Sequence, residues 1–245
     1  MWIESDGEIL PPLVLWRLMK KVETATHILR GEATRKRVLD LAVKVATIEG
    51  LEALTIGRMA DAAGISKAGL LGHFGTKEDL QIATVRAGRE KFIRKVIYPI
   101  RSMPEGIQRL VALIDSWLDY VRQSEGGCFF ASVSAEFDCR PGAVRDAVAA
   151  MIKEWQLGLS QVIQEAKSLG HLKSEVVPKS LAFAFLGFEL ALNLTFQLLG
   201  EKEALIEAKS AMHRLISNSA SLSGKRALAK DSNFEKNPIL NDMYR

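Results

Sequence analysis

The hydrophobic pattern of this 245-residue chain is helical almost from end to end. In the segment 38–45, apolar residues recur at three- and four-residue spacings, which places them on one helix face. No segment alternates with the period of two that half-buried strands require. The pattern predicts an all-α fold, with helices over 33–49, 56–63, 67–73, 77–98, 104–123, 128–138, 142–169, 178–199 and 202–219.

Composition narrows the class of protein further. Hydrophobic residues make up 48% of the chain and charged residues 25%, which excludes a fibre, a disulfide scaffold and a fully disordered chain. Two cysteines, Cys128 and Cys139, are too few for a disulfide framework and indicate a reducing, cytoplasmic compartment. Residues 20–97 hold 15 Lys/Arg against 9 Asp/Glu, whereas the remainder is slightly acidic. This asymmetry favours one phosphate-facing module and a separate body.

The segment from Thr55 to Phe74 predicts two short helices joined by a tight turn. Thr55 and Ser66 are suitable N-caps for the two helices, and Gly64 supplies the turn between them. This arrangement is a helix-turn-helix, whose second helix enters the DNA major groove. Glycines within the second helix cost about 1 kcal/mol each relative to alanine, but they let the backbone approach DNA closely.

This segment, with the helix before it and residues 75–80 after it, resembles the DNA-binding domain of the tetracycline-repressor (TetR) family of bacterial transcriptional regulators. The family pattern combines an apolar helix, a Gly-then-Thr entry, an A-x-x-A-G-(I/V)-S turn, an aromatic-rich recognition helix and F-x-(T/S)-K-x-x-L. Each part is present, in order, within residues 32–92. The chain departs from the pattern at Leu71, where the family usually has an aromatic residue, and at Gly72.

The resemblance implies roles for individual residues in a complex with DNA. Thr55 and the amides at the start of its helix would meet a phosphate, and Lys77 would bind another. The residues implied to contact DNA are Thr55, Ser66, Lys67, Ala68, Gly69, Leu70, His73 and Lys77. Upstream, the basic run 35–37 either reaches adjacent phosphates or is simply a solvated helix start, and the sequence favours neither.

The resemblance also implies the organisation of the whole chain. Residues 32–92 would form a three-helix DNA-binding domain, and residues 93–220 a helical domain that binds a ligand and dimerises. Residues 1–31, in which Met19 offers an alternative start, are expected to be a flexible leader or basic arm, and residues 221–245 a mobile tail. The implied function is repression at a palindromic operator, bound as a homodimer and released by a small-molecule effector.

Residues of the second domain suggest where ligand and partner subunit bind. The aromatic residues that could line a ligand pocket, although aromatics in helices are more often plain core, are Phe130, Phe137, Trp155 and Phe188. Close subunit contact is predicted on a stripe of small residues and its apolar neighbour: Ala184, Gly187, Ala191 and Leu192. A membrane span over 181–199 is rejected because Glu189 inside it would cost about 2.5–3.5 kcal/mol.

Three other classes of function compete with a DNA-binding regulator. An enzyme is not expected, because the chain has no phosphate-cradling glycine loop, no G-x-S-x-G elbow and only scattered histidines. No cofactor is implied and no metal-ligand spacing appears. A thiol-responsive regulator is the main alternative, since Cys128 starts a predicted helix whose dipole would lower its pKa, and Cys139 follows eleven residues later. An adaptor that uses the helical body for protein partners is the third.

Overall fold

A computed structural model describes the backbone of residues 12–230 and the side chains from residue 29 onward. Ten α-helices follow one another, and the described residues contain one isolated β-bridge but no strand, which confirms the all-α fold. The helices are α1 Pro12–Glu49, α2 Ile56–Ala63, α3 Lys67–Phe74, α4 Lys77–Phe92, α5 Ile107–Gln123, α6 Phe129–Phe137, α7 Ala143–Ser168, α8 Pro178–Asn193, α9 Ala204–Ser219 and α10 Leu222–Leu228.

Two hydrophobic clusters hold these helices together. The N-terminal core packs α1 to α4 around buried residues such as Ala42, Met59 and Leu80. The body core packs α5, α7, α8 and α9 around Trp117 and Phe185. Helix α4 reaches both cores, and Phe130 of α6 packs against both clusters. Helices α4 and α6 can therefore carry a displacement from the body to the N-terminal unit.

Local capping explains why α2, α3 and α4 begin where the sequence predicts. The Thr55 and Ser66 hydroxyls accept hydrogen bonds from backbone N–H groups at the starts of α2 and α3. Gly64 ends α2 in the left-handed conformation, at φ 64°, which costs glycine little. At the start of α4, Thr76 and Asp79 form a reciprocal capping box.

The first helix is longer than its apolar pattern predicts. It begins at Pro12 rather than near residue 33, so residues 12–31 form helix instead of the flexible leader expected for them. Proline fits the first turn of a helix, and the single Gly31 costs only about 1 kcal/mol, too little to end it. The rest of the predicted leader, residues 1–11, lies outside the described residues.

The predicted mobile tail begins with a further short helix. Ser221 caps α10, Leu228 is buried, and Gly224 packs directly against the backbone carbonyl of His171. Seven residues are too few for a periodic apolar face to stand out, so the hydrophobic pattern does not predict this helix. Residues 231–245 of the predicted tail lie outside the described residues.

Two other boundaries differ from the predictions. Helix α5 begins at Ile107, after Pro104 rather than at it. A π-helical turn, Leu194–Leu198, continues α8, and together they form a helix long and apolar enough to cross a membrane by length and composition alone. One face of this helix packs into the body core through buried residues that include Phe185 and Glu189. That packing agrees with its interpretation as a core helix.

We expect Gly88→Ala to destabilise the junction between α4 and α6. A Cβ atom at Gly88 would lie 2.7 Å from the ring of Phe129, whose side chain is fully buried. Overpacking of this kind typically costs about 1–3 kcal/mol. Gly158→Ala in α7 is the matched control, because its Cβ would meet nothing within 4 Å and alanine favours the helix. Denaturant unfolding of both variants checks this, and equal midpoints would contradict it.

Candidate nucleic-acid interface and ligand cavity

Helix α3 presents most of the predicted contact residues on an exposed face. Lys67, Ala68 and Gly69 are exposed at its first turn, and His73 is half-buried near its end. Among the described residues, no carboxylate lies within 4 Å of the Lys67 ammonium group. The exposed N-terminal turn of α3 can therefore offer a cation, small side chains and backbone to a groove.

The predicted contact at Leu70 is wrong. Leu70 is fully buried in the N-terminal core together with Phe74, whereas Leu71 is 43% exposed. Leu70 and Phe74 are four residues apart, a spacing that places both on the inner face of α3. The same spacing rule, applied to the sequence, would have assigned Leu70 to the core and Leu71 to the surface.

The basic run before the apolar part of α1 has a role that neither alternative anticipated. Arg35 donates a hydrogen bond to the His73 carbonyl at 2.8 Å and stacks over the Phe74 ring. Arg37 donates to the Ala63 carbonyl at 2.9 Å. Cations stabilise helix C-termini, where backbone carbonyls lack partners within the helix. These two arginines therefore fix α1 to the ends of α3 and α2.

Lys77, the predicted phosphate ligand at the start of α4, has a carboxylate partner. Its ammonium group lies 2.7 Å from Glu52, in the short 3₁₀ turn Leu51–Ala53 that connects α1 to α2. The hydrogen bonds from Lys77 and Gln81 lower the pKa of Glu52, so this carboxylate stays ionised at neutral pH. A phosphate would have to compete with Glu52 for Lys77.

The same 3₁₀ turn is tied to the body by a carboxylate that sequence reasoning did not connect with it. Glu136 of α6 accepts hydrogen bonds from the backbone N–H groups of Leu51 and Glu52, at 2.7 and 2.8 Å. On the same helix, Phe130, Ala131 and Ser134 line a cavity. Helix α6 thus contacts both the connection between α1 and α2 and the interior of the body.

That cavity has a volume of about 740 Å³ and lies between α4, α5, α6, α7 and α8. Its lining is mostly apolar, which is typical of small-molecule sites. Of the four predicted ligand residues, Phe130 and Trp155 line it. The other two do not line it, because Phe137 packs into the N-terminal core and Phe188 lines a separate groove beside α9.

One carboxyl group in the lining of this cavity is buried. Glu189 of α8 is 5% exposed, and both its oxygens accept from the same donor, Nε1 of Trp155, at 3.0 and 3.1 Å. Burial raises the pKa of Glu189 to about 8. The sequence signal for this buried carboxyl group is a glutamate in an otherwise apolar helix. In the sequence analysis that glutamate argues only against a membrane span.

The cysteines do not have the properties expected of thiol sensors. Cys128 is buried against the cavity, and burial raises its pKa to about 11, so the expected lowering at a helix start is wrong. Desolvation of the thiolate outweighs the favourable field of a helix N-terminus. Cys139 is exposed, and Asp138 raises its pKa. Nothing observed favours the thiol-sensing alternative. Among the described residues, no cluster of three or more potential metal ligands occurs.

Helix α8 also carries an exposed apolar surface. We define the α8 outer face by residues with four- and three-residue spacings: Phe183, Gly187, Leu190, Leu194 and Leu198. Of the predicted dimer residues, Gly187 and Ala191 are exposed and Ala184 is half-buried. The prediction is wrong for Leu192, which is 2% exposed and belongs to the body core. Exposed apolar residues along one helix face are typical of an interaction site.

Comparisons with known proteins find one family in both units of the chain. Residues 38–84 match the family described as bacterial regulatory proteins, tetR family, and residues 106–212 match the tetracyclin repressor-like C-terminal domain. Over 93 residues the chain is 28% identical to the HTH-type transcriptional activator FasR of Mycolicibacterium smegmatis. That match covers 38% of this chain and 42% of FasR, less than half of the relative's length.

Solved structures extend the likeness over most of the fold. A TetR transcriptional regulator from Chloroflexus aurantiacus superposes with a TM-score of 0.72 at 23% identity, covering 78% of this chain and 98% of that one. AibR, solved in complex with isovaleryl coenzyme A and operator DNA, superposes with a TM-score of 0.61 at 25% identity. The superposition covers 74% of this chain and 98% of AibR.

Proposed function

Because the chain belongs to the TetR family of bacterial transcriptional regulators, we propose that it is a cytoplasmic repressor released from DNA by a small-molecule effector. It binds a palindromic operator as a homodimer. The observation that carries the proposal is the pairing of an exposed helix α3 with a 740 Å³ cavity in the body, connected through α4 and α6. AibR, a structural relative, was solved with both an acyl-coenzyme A and operator DNA.

In this proposal residues 32–92 are the DNA-binding domain, and the body extends from residue 93 through α10. Lys67, Ala68, Gly69 and His73 of α3 face the major groove, and Thr55 and Ser66 bring helix N-termini to phosphates. Lys77 exchanges Glu52 for a phosphate when DNA binds. Leu70 is omitted because it is fully buried.

Release operates through α4 and α6, which both reach the two cores. A ligand in the cavity displaces α6, and Glu136 transmits this displacement to the backbone at Leu51 and Glu52. Arg89 of α4 forms a bidentate ion pair with Glu154 of α7, and both residues line the same cavity. A ligand that changes either contact alters how α2 and α3 are held, which is the differential interaction that a switch requires.

Selection of bound sites from random duplex DNA tests the proposal directly. Recovery of an inverted repeat with half-sites about one helical turn apart would support a dimeric operator-binding protein. Recovery of no sequence would contradict it. Since FasR is described as an activator, a reporter fused to the selected operator, with and without the protein, decides between repression and activation.

We expect Lys67→Ala to change the preference among operator sequences. Lys67 is an exposed cation at the first turn of α3, where a side chain reaches base edges, and loss of such a contact costs about 1–3 kcal/mol at the affected base. Lys173→Ala, which removes an exposed charge from the body, is the control and should leave binding unchanged. Titrations of operator and single-base variants measure this. Equal losses on operator and random DNA would make Lys67 a phosphate contact instead.

A further inference from the structure

We infer that the cavity selects a lipophilic organic cation, which pairs with the Glu189 carboxylate among aromatic side chains. This inference rests on the proposed function in one respect, since it names the chemical class of the effector. The binding selectivity itself follows from the lining of the cavity and does not depend on what the N-terminal unit recognises. It is therefore testable without DNA.

Glu189 is incompletely paired. A carboxylate has about four acceptor sites, yet the described residues provide one donor, the indole N–H of Trp155. The side chain is 5% exposed and lines the cavity, so its remaining acceptor sites lie beside space that a ligand can enter. A buried carboxylate with open acceptor sites is costly, and a ligand that supplies a positive charge or a donor would offset that cost.

The same lining is rich in aromatic side chains. Phe92, Trp117, Phe130 and Trp155 all contribute to the cavity wall. Phe92 stands edge-on to Trp155 at 5.0 Å and to Phe130 at 5.9 Å between ring centroids. Aromatic faces attract cations, and groups of them bind quaternary ammonium ligands. A carboxylate beside such rings therefore favours an organic cation over a neutral or anionic ligand.

The charges around the cavity also favour a cationic ligand. Besides Glu189, the titratable side chains of the cavity lining are Arg89 of α4, Lys153 and Glu154 of α7, and Cys128 just before α6. Arg89 is already paired with Glu154, Lys153 is exposed, and the raised pKa of Cys128 keeps its thiol neutral. Among the described residues, no cation lies within 4 Å of Glu189. An anionic ligand would find no available buried cation, whereas a cationic ligand would find an available carboxylate.

Proton linkage gives this inference a distinctive signature. Burial holds the pKa of Glu189 at about 8, so the carboxyl is mostly protonated at neutral pH in the empty cavity. A cation binds the ionised form, and the proton therefore leaves to solvent as the complex forms. Cation affinity should rise by up to about tenfold per pH unit below pH 8 and level off above it. A ligand that accepts a hydrogen bond from the neutral acid would show the opposite slope.

The test compares two ions of the same shape and opposite charge, tetraphenylphosphonium and tetraphenylborate, with benzyltrimethylammonium as a smaller cation. Calorimetry on the full chain, from about pH 6.5 to about pH 8.5 and in two buffers of different ionisation enthalpy, gives affinities and protons released. The variant Glu189→Gln keeps an acceptor for Trp155 but cannot ionise. Glu175→Gln, an exposed position on the body, is the matched control, and circular dichroism verifies that both variants fold.

We expect tetraphenylphosphonium to bind the unmodified chain with release of close to one proton at pH 6.5. It should bind Glu189→Gln at least tenfold more weakly at pH 8.5, and that weaker affinity should not depend on pH. Glu175→Gln should match the unmodified chain. The inference is overturned if tetraphenylborate binds as tightly as the phosphonium, if Glu189→Gln leaves cation affinity unchanged, or if neither cation binds at pH 8.5.

Operator binding, measured on the same samples, separates this inference from the proposed function. If operator DNA binds and neither cation does, the regulator stands and the cation selectivity fails. If the phosphonium binds with proton release but the operator stays bound, the cavity selects cations as inferred. In that case such cations do not release the protein from the operator.

Discussion

Gly187→Leu is expected to convert the proposed homodimer to monomers and to weaken operator binding by about 100-fold or more. Gly187 lies in the middle of the α8 outer face, between the exposed side chains of Phe183 and Leu190. In the proposed dimer, a two-fold axis relates the two copies of α8 and brings Gly187 of one subunit close to Gly187 of the other. Both leucines would therefore add bulk to the same contact. Overpacking costs about 1–3 kcal/mol per copy. Separated subunits lose the avidity of two linked half-sites, which is worth about 10²–10⁴-fold.

The structure of the subunit makes this variant a clean test. A Cβ atom at Gly187 would meet nothing within 4 Å in its own chain, so leucine fits the monomer and favours the helix. Circular dichroism should therefore be unchanged while sedimentation shows the smaller species. Gln164→Leu, which adds an exposed leucine on α7, is the control and should remain dimeric. A Gly187→Leu protein that stays dimeric and binds the operator normally would place the interface elsewhere.

Local features of this fold were predictable because local physics determines them. The caps at Thr55 and Ser66, the turn at Gly64 and the start of α8 at Pro178 depend on residues within a few positions of one another. Helix spacing also predicts that Leu70 lies in the core, whereas the family resemblance implied that it contacts DNA. A pattern inherited from relatives gives the order of the helices, whereas the side-chain face at each position follows from helix geometry.

The contacts between helices that lie far apart in the sequence could not be predicted from spacing. Glu136 meets the backbone of Leu51 across 85 positions of the sequence, and Trp155 meets Glu189 across 34. Arg35 and Arg37 are ordinary surface cations in the sequence and become helix-end ligands only when α1 packs beside α2 and α3. Polar groups on different helices find one another through tertiary packing, and one sequence without that packing does not show which pairs form.

Glu189 should also make the stability of the empty protein fall as the pH rises. Its pKa is about 8 in the folded chain and near its ordinary value of 4.5 in the unfolded chain. Between these two values the folded state holds a proton that the unfolded state has lost, so each rise in pH favours unfolding. The slope approaches roughly 1 kcal/mol per pH unit, a few kcal/mol over the whole interval.

The variant Glu189→Gln removes this slope because glutamine does not titrate. Its amide oxygen still accepts from Trp155, and any cost of the unpaired amide N–H groups is the same at every pH. The difference in unfolding free energy between the variant and the unmodified chain should therefore grow in the variant's favour from about pH 5 to about pH 8. Ion pairs lower the pKa of other carboxylates, such as Glu49 beside Arg58 and Glu154 beside Arg89. These carboxylates are ionised in the folded and the unfolded chain across this pH range, so they add no slope to the unfolding free energy.

Urea unfolding of the two proteins at several pH values, without ligand, measures that difference directly. Glu175→Gln, at an exposed position, should give a profile parallel to that of the unmodified chain. Parallel profiles for Glu189→Gln as well would mean that the folded protein ionises Glu189 near its ordinary pKa, through a reorganised cavity that admits water to the carboxylate. A growing difference would instead show that the empty cavity holds a neutral acid, and that an arriving cation must displace its proton before it can pair with the charge.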